Sequence, residues 1–374
     1  MTARAPRHVR GWVVLGLALA ALLVLVALFA GSLAASSVLL VPKHEPPRTD
    51  VAVLAVRTGQ VELARTAATA RPGEYGLEGA GIHAIVGSVA AQSSDSVTRR
   101  LLQSSGGLRA GARVAVDTDV FAGDPVQALG FPFQDVSVPG QLGSMPAWLV
   151  PGSAATWAIF VHGIDGDRGG GLRVLPALHA LGLPSLLITY RNDVGAPRSP
   201  DGLIHLGMTE WRDLEAAAQL ALRSGAHQLV LVGDSMGGAI VTRFLRLSPL
   251  ASHVSRVVLD APALDWQSIL SGQADRLHLP FLAGTTEAAI QLRIGIDWAS
   301  MNEIAHARDF RLPILLFQGL DDPLVPPANS AAFARALPGP VAFVTVPGAG
   351  HVHSWNLDPA AYDARVRTFL APAA

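Results

Sequence analysis

Ser235 lies in Gly233-Asp234-Ser235-Met236-Gly237, directly behind the apolar run Val230-Leu231-Val232. A serine hydroxyl attacks carbonyl carbon only when a base takes its proton and a sharp strand-to-helix turn exposes it. Glycines two residues to either side let the backbones pass closely enough for such a turn to form. Downstream, the apolar residues 312–317 are followed by Gln318-Gly319-Leu320-Asp321-Asp322-Pro323-Leu324-Val325. Residues 341–346 form a second apolar run, followed by Pro347-Gly348-Ala349-Gly350-His351. Nucleophile, acid and base therefore follow one another along the chain, each just past the end of a predicted strand. In open α/β sheets that carboxyl-terminal edge is where sites are built. The chemistry such a set performs is acyl transfer.

Four pieces of sequence in this order resemble the α/β-hydrolase superfamily: His162-Gly163 after a strand, the turn at 233–237, Gly-x-x-Asp-x-x-Val at 319–325 and Gly-x-Gly-His at 348–351. The resemblance runs from about Val136 to the carboxyl terminus. Within the superfamily the chain is most similar to membrane-tethered bacterial serine hydrolases of the esterase or monoacylglycerol-lipase kind, and Tyr190-Arg191-Asn192 adds to that similarity. Gln318 departs from the pattern, standing where many relatives carry histidine. The resemblance implies Ser235 as nucleophile, His351 as general base and Asp322 as its orienting acid. It also implies an oxyanion hole made by the backbone N–H groups of Met236 and Ile164.

Each role has a competitor in the sequence. Ser235 would also suit a helix N-cap. Asp321, or Asp260 at the end of the run 255–259, competes with Asp322, and His353 competes with His351. His162 reads as a structural histidine bonded within its loop. The histidines at 351 and 353 have no cysteine or carboxylate at ligand spacing, so neither a metal nor a cofactor is expected.

Positioning these groups requires strands that alternate with helices. Residues 133–138, 147–150, 157–161, 185–190, 228–232, 255–259, 312–317 and 341–346 read as strands. Residues 173–181, 209–224 and 239–247 read as helices. The expected fold is an α/β-hydrolase: a mostly parallel eight-stranded sheet, helices on both faces and a small helical cap at about 261–310. Helices are expected near 266–273 and 286–294 of that cap. Trp266, Leu277, Leu279, Phe281, Leu282 and Trp298 would either line an acyl pocket or form the cap's own core. Arg191 and Asp193, on a loop bordering the site, would contact substrate or form a structural ion pair.

The amino-terminal third has a different character. Arg4, Arg7, His8 and Arg10 precede an uncharged stretch from Gly11 to Pro42, rich in Leu, Val and Ala. About 20 helical residues span a hydrocarbon core, and basic residues stay on the cytoplasmic side. The expectation is a cytoplasmic amino terminus (1–10), a single-pass transmembrane anchor (11–33), a linker (34–50) and an extracytoplasmic catalytic domain (131–374). Secretion after cleavage near Ala30-Gly31-Ser32 is the alternative. Residues 51–130, with strands at 51–56, 83–90 and 113–117, read as a β-rich accessory region.

Half of the residues are hydrophobic and 15% are charged, with a formal net charge of −1 and no cysteine. Nucleic-acid partners, disulfides and thiolate chemistry are therefore not expected. The expected activity is hydrolysis of carboxylic esters, small or lipid-derived, through an acyl-enzyme. A serine peptidase or aminopeptidase with the same triad order is the alternative, and an inactive binding protein on the same fold the third reading.

Overall fold

The computed structural model describes residues 7–44 and 48–371. Its chain order is helix α1 (Arg7–Leu40), then strands β1 (Val51–Arg57), β2 (Gln60–Ala64), β3 (Tyr75–Gly79), β4 (Ile82–Gln92), β5 (Ser96–Gly106) and β6 (Arg113–Asp117). Helix α2 (Pro125–Leu129) leads into β7 (Gln134–Gly140), β8 (Gly143–Val150) and β9 (Thr156–Val161). There follow α3 (Leu175–Ala180), β10 (Ser185–Ile188), α4 (Trp211–Arg223), β11 (Gln228–Asp234), α5 (Met236–Leu247) and β12 (Val254–Asp260). The chain ends with α6 (Trp266–Arg276), α7 (Leu282–Ile294), β13 (Ile314–Gly319), α8 (Pro327–Ala336), β14 (Val341–Val346), α9 (Ser354–Leu357) and α10 (Pro359–Leu370).

Strands β7–β14 form an eight-stranded sheet in the order β14-β13-β12-β11-β9-β10-β8-β7. Pairing is parallel from β14 to β10 and antiparallel where β8 and β7 extend the edge. Apolar cores cover both faces. Ile159, Val161, Leu229 and Leu231 point to one side, where they meet α4, α5 and the cap helices. Ala158, Phe160, Val230 and Val232 point to the other, toward α3 and α10. Burial on both faces explains why these strands are nearly continuous apolar runs.

Strands β1–β6 close into a barrel in the order β1-β2-β5-β4-β3-β6, with every neighbouring pair antiparallel. Its small interior is filled by residues such as Val53, Val61, Leu63, Leu77 and Val114. The expected β-rich accessory region is a closed barrel, and closure removes the exposed edges that unpaired strands would leave. The expectation of mostly parallel pairing is corrected as well. Taken over both sheets, pairing is mixed and antiparallel pairs outnumber parallel ones. The polar residues 103–106 belong to β5.

The predicted membrane anchor is also corrected. Among the described residues no helix is long and apolar enough to cross a membrane. The single-pass topology, the membrane as a partner and the localisation drawn from it are therefore not supported. Residues 34–40, expected in the linker, instead continue α1, whose last turns pack against the domain built on the eight-stranded sheet. Ser32, Ser36 and Leu40 are buried there, and Arg293 of α7 donates to Ser36 Oγ at 2.8 Å and Ser37 Oγ at 2.9 Å. Earlier along α1, Trp12, Leu22 and Phe29 are exposed. Arg4, used in assigning topology, lies outside the described residues, as do residues 45–47 of the expected linker.

Candidate active site

Strand β11 delivers Ser235 to the carboxyl edge of the sheet with φ 52° and ψ −117°, a backbone conformation that L-residues rarely adopt. Two close approaches hold this turn. A Cβ on Gly237 would lie 2.0 Å from Val161 O, and one on Gly163 would lie 3.0 Å from Ser235 Cβ. The glycines are thus steric requirements of the strand–turn–helix junction. Ser235 N donates to Asp260 O at 2.9 Å, so the strained residue is tied to the end of β12.

His351 Nε2 faces Ser235 Oγ at 2.8 Å, and His351 Nδ1 faces Asp322 Oδ2 at 2.8 Å. With Nδ1–H donating to the carboxylate, the Nε2 lone pair is left to accept the serine proton. Asp322 is held in turn by Leu324 N at 2.8 Å and Val325 N at 2.9 Å on Oδ1, and by Gln318 Nε2 at 3.2 Å on Oδ2. Ser330 Oγ fixes the same amide by donating to Gln318 Oε1 at 2.7 Å. The Asp322 side chain has no solvent exposure and that of His351 is 17% exposed. The imidazole is thus oriented from the buried side and reachable from the other.

The competing residues lie elsewhere. Asp321 is exposed. Asp260 accepts from Ser354 Oγ at 2.9 Å, away from the imidazole of His351. His353 meets the edge of Tyr75, with ring centroids 5.9 Å apart. Arg191 forms a buried bidentate pair with Asp213 at 2.7 and 2.9 Å, so it is structural.

Met236 is the first residue of α5, where a backbone N–H has no intrahelical acceptor and the helix dipole favours negative charge. Ile164 follows Gly163, whose carbonyl accepts from Tyr190 Oη at 2.9 Å. The same carbonyl lies 2.8 Å from His162 Nδ1, while His162 Nε2 lies 2.9 Å from Asp193 Oδ2. Both ring nitrogens of His162 face acceptors, a geometry that suits the imidazolium. Burial is the largest influence on its pKa and lowers it. The Asp193 charge and hydrogen bond, with the Gly163 carbonyl, outweigh burial and leave the pKa raised. Tyr190 stacks on the ring at 4.2 Å. His162, Asp193 and Tyr190 therefore fix the loop that carries Ile164.

Asp193, expected to contact substrate or to form a structural ion pair, pairs with His162. Two supporting residues escaped the sequence reading, and Gln318 was visible only as a departure from the superfamily pattern. Arg173 was taken as an ordinary helical position. Its signal was a single charge among Leu172, Val174 and Leu175, which marks a buried and paired guanidinium.

Of the six apolar residues assigned to the cap, Trp266 is buried and donates from Nε1 to Leu206 O at 3.0 Å, so it belongs to the core. Trp298 packs against the same core. Leu277, Leu279 and Phe281 are exposed. Among the described residues no group of side chains could hold a metal ion.

Residues 202–371 match the prolyl oligopeptidase family, and residues 52–117, which coincide with the barrel, match a domain of unknown function (DUF8805). Two uncharacterized proteins of Mycobacterium tuberculosis, MT2364 and Rv2307c, are each 27% identical over 250 residues, covering 64% of this chain and 80% of theirs. The esterase Pf2001 of Pyrococcus furiosus superposes with a TM-score of 0.54 at 20% identity, covering 67% of this chain and 94% of that one. In another crystal form of that esterase the TM-score is 0.53 at 19% identity, with 96% of its chain covered. These superpositions show the α/β-hydrolase fold, and the family match spans the elements that carry Ser235, Asp322 and His351.

Proposed function

We propose that this hydrolase cleaves carboxylic esters through an acyl-enzyme formed on Ser235. The observation that carries the reading is the linear relay Ser235–His351–Asp322, with both contacts at 2.8 Å on a strained turn. His351 Nε2 takes the Ser235 proton as Oγ attacks the carbonyl carbon. The oxyanion forms against the N–H groups of Met236 and Ile164, donors fixed before the charge develops. His351 then passes its proton to the leaving alcohol. Water, deprotonated by the same imidazole, attacks the acyl-enzyme and releases the carboxylic acid with Ser235 restored. Asp322 holds the tautomer and stabilises the imidazolium throughout.

The region around the Asp322 loop favours an apolar acyl group. Gln273 Nε2 of α6 donates to Pro323 O at 2.7 Å, which ties the cap to that loop. Leu277, Leu279 and Phe281 beyond α6, and Leu320 and Leu324 on the loop, expose their apolar side chains. Similarity to an esterase supports the same class. The prolyl oligopeptidase match across 202–371 favours a second reading, a peptidase using the same relay. A panel of p-nitrophenyl esters of rising acyl length, run beside aminoacyl and prolyl p-nitroanilides, separates the two. The expected result is kcat/KM rising with acyl length and at least about tenfold above the anilides, a difference of ~1.4 kcal/mol in transition-state stabilisation. Preference for the anilides would assign the peptidase.

A further inference from the structure

The catalytic histidine lies on a loop that the hydrolase half does not hold alone. Asn356, five residues past His351 and fully buried, has none of its side-chain partners within its own loop. Its Nδ2 donates to Glu74 O at 2.9 Å and Thr118 O at 2.8 Å, at the edge of the barrel. Its Oδ1 accepts from Arg173 Nη1 at 3.3 Å. Its backbone carbonyl accepts from Glu74 N at 2.7 Å. A buried amide costs folding free energy unless its donors are satisfied, and here the donors are satisfied only when the barrel is in place.

Arg173 is the junction. From Nη1 it donates to Val352 O at 3.1 Å, next to His351, and to Thr118 O at 3.3 Å. From Nη2 it reaches Asp234 Oδ2, beside the nucleophile, at 3.2 Å and Asp119 Oδ1, beyond β6, at 3.3 Å. One buried guanidinium thus touches the nucleophile turn, the histidine loop and the segment leaving the barrel. Val352 has φ 55°, a conformation that a non-glycine residue holds only when its surroundings enforce it.

The barrel side of the contact is equally constrained. Gly73 has φ 108°, and a Cβ there would lie 2.3 Å from Asn356 O and 2.8 Å from Asn356 C. The segment 69–73 that presents it is held by Arg99, buried inside the barrel. Arg99 donates to the carbonyls of Thr69 at 2.9 Å, Arg71 at 2.6 Å and Gly73 at 2.6 Å, and twice to Gly87 at 3.0 and 2.7 Å. Tyr75, the first residue of β3, packs its ring against His353.

We infer that the six-stranded barrel positions the histidine loop for catalysis, with Gly73, Arg173 and Asn356 as positioning residues for His351. The inference rests on the Ser235–His351–Asp322 reading. It gives the barrel a part in the chemistry although the barrel supplies no group to the relay. Positioning by an ordered second layer governs how often the base meets its nucleophile in line, so loosening it lowers kcat more than it raises KM.

The test uses the full chain with Gly73→Ala, a substitution remote from substrate, and Arg57→Ala on the exposed β1–β2 hairpin as a control. Second-order labelling by a fluorophosphonate and steady-state hydrolysis of p-nitrophenyl butyrate are measured at 25 °C, with circular dichroism and melting to verify folding. Gly73→Ala is expected to lower labelling and kcat about 10-fold to 100-fold with KM within about 3-fold, the scale of a misplaced reacting group. Arg57→Ala is expected to match the wild type. If Gly73→Ala does not fold, Asn356→Ser, which deletes the two Nδ2 hydrogen bonds without adding bulk, takes its place with the same expected losses. A folded Gly73→Ala or Asn356→Ser that labels and turns over at the wild-type rate overturns the positioning role. Absence of labelling in the wild type would instead overturn the relay itself, so the two failures are distinct.

Discussion

The two sheets of this molecule meet the same requirement, burial of apolar surface, in opposite ways. The catalytic sheet is open and covered on both faces, and strands such as β13 are buried along their whole length. The barrel is closed and buries one face only, so β2 alternates between buried and partly exposed positions. An open sheet has carboxyl-terminal strand ends, and there the turn after β11 and the loops after β13 and β14 converge on the relay. A closed antiparallel barrel of this size is filled by side chains and offers no comparable edge. What it offers is rigidity, which it lends to the histidine loop through Glu74, Thr118 and Asn356.

The comparison is broken most severely at Arg99. In the catalytic half Arg173 is matched by Asp119 and Asp234, whereas the hydrogen bonds of Arg99 go to backbone carbonyls. Burial lowers the pKa of Arg99, the mark of a charge held by dipoles. Arg99→Met removes every one of those hydrogen bonds and leaves several carbonyls unsatisfied. A loss of about 3 kcal/mol or more in urea-unfolding stability is expected. A loss under about 1 kcal/mol would show that the segment 69–73 is held by other means and that the barrel's rigidity does not depend on this residue.

His353 gives a smaller effect at the seam between the two regions. Burial, then the charges of Arg71, Arg173 and His351, hold its pKa down to about 4 from an ordinary value of 6.5. The folded state therefore binds fewer protons at this site than the unfolded chain between those two values. Its contribution is full above pH 6.5 and is lost as pH falls toward 4. Wild type minus His353→Gln, compared by thermal melting at pH 7.5 and pH 5, is expected to shrink by a few degrees at the lower pH, on the scale of ~1–2 kcal/mol. A pH-independent difference would place His353 outside the buried contact with Tyr75.

The same contrast explains what was legible in the sequence. Strands buried on both faces leave continuous apolar runs, so β9, β11 and β13 were visible; β14 lies half-exposed at the sheet edge but is as apolar, and together they fixed the order of Ser235, Asp322 and His351. Barrel strands do not. β3 carries two glycines, and β5 ends in Gln103-Ser104-Ser105-Gly106. β4 pairs with β5 through register shifts. Such strands are specified by partners distant in sequence, and local composition resembles that of loops. The carboxyl-terminal turns of α1 misled for a different reason. Residues 34–40 were expected in a linker, but they continue the helix and bury Ser36 and Leu40 against protein, which only tertiary packing reveals. The relay was written in motifs, whereas the supports of the relay, Arg173 and Asn356, are single polar residues whose partners lie far away in the chain.

The central claim, that Ser235 is a nucleophile activated by His351, is tested most directly by fluorophosphonate labelling followed by peptide mapping of wild type, Ser235→Ala and His351→Ala. The account predicts one modified residue in the wild type, Ser235, with no labelling of Ser235→Ala and labelling of His351→Ala slowed by about 10³-fold or more. Equal labelling of wild type and Ser235→Ala, or a wild-type protein that folds and is not labelled, would contradict it.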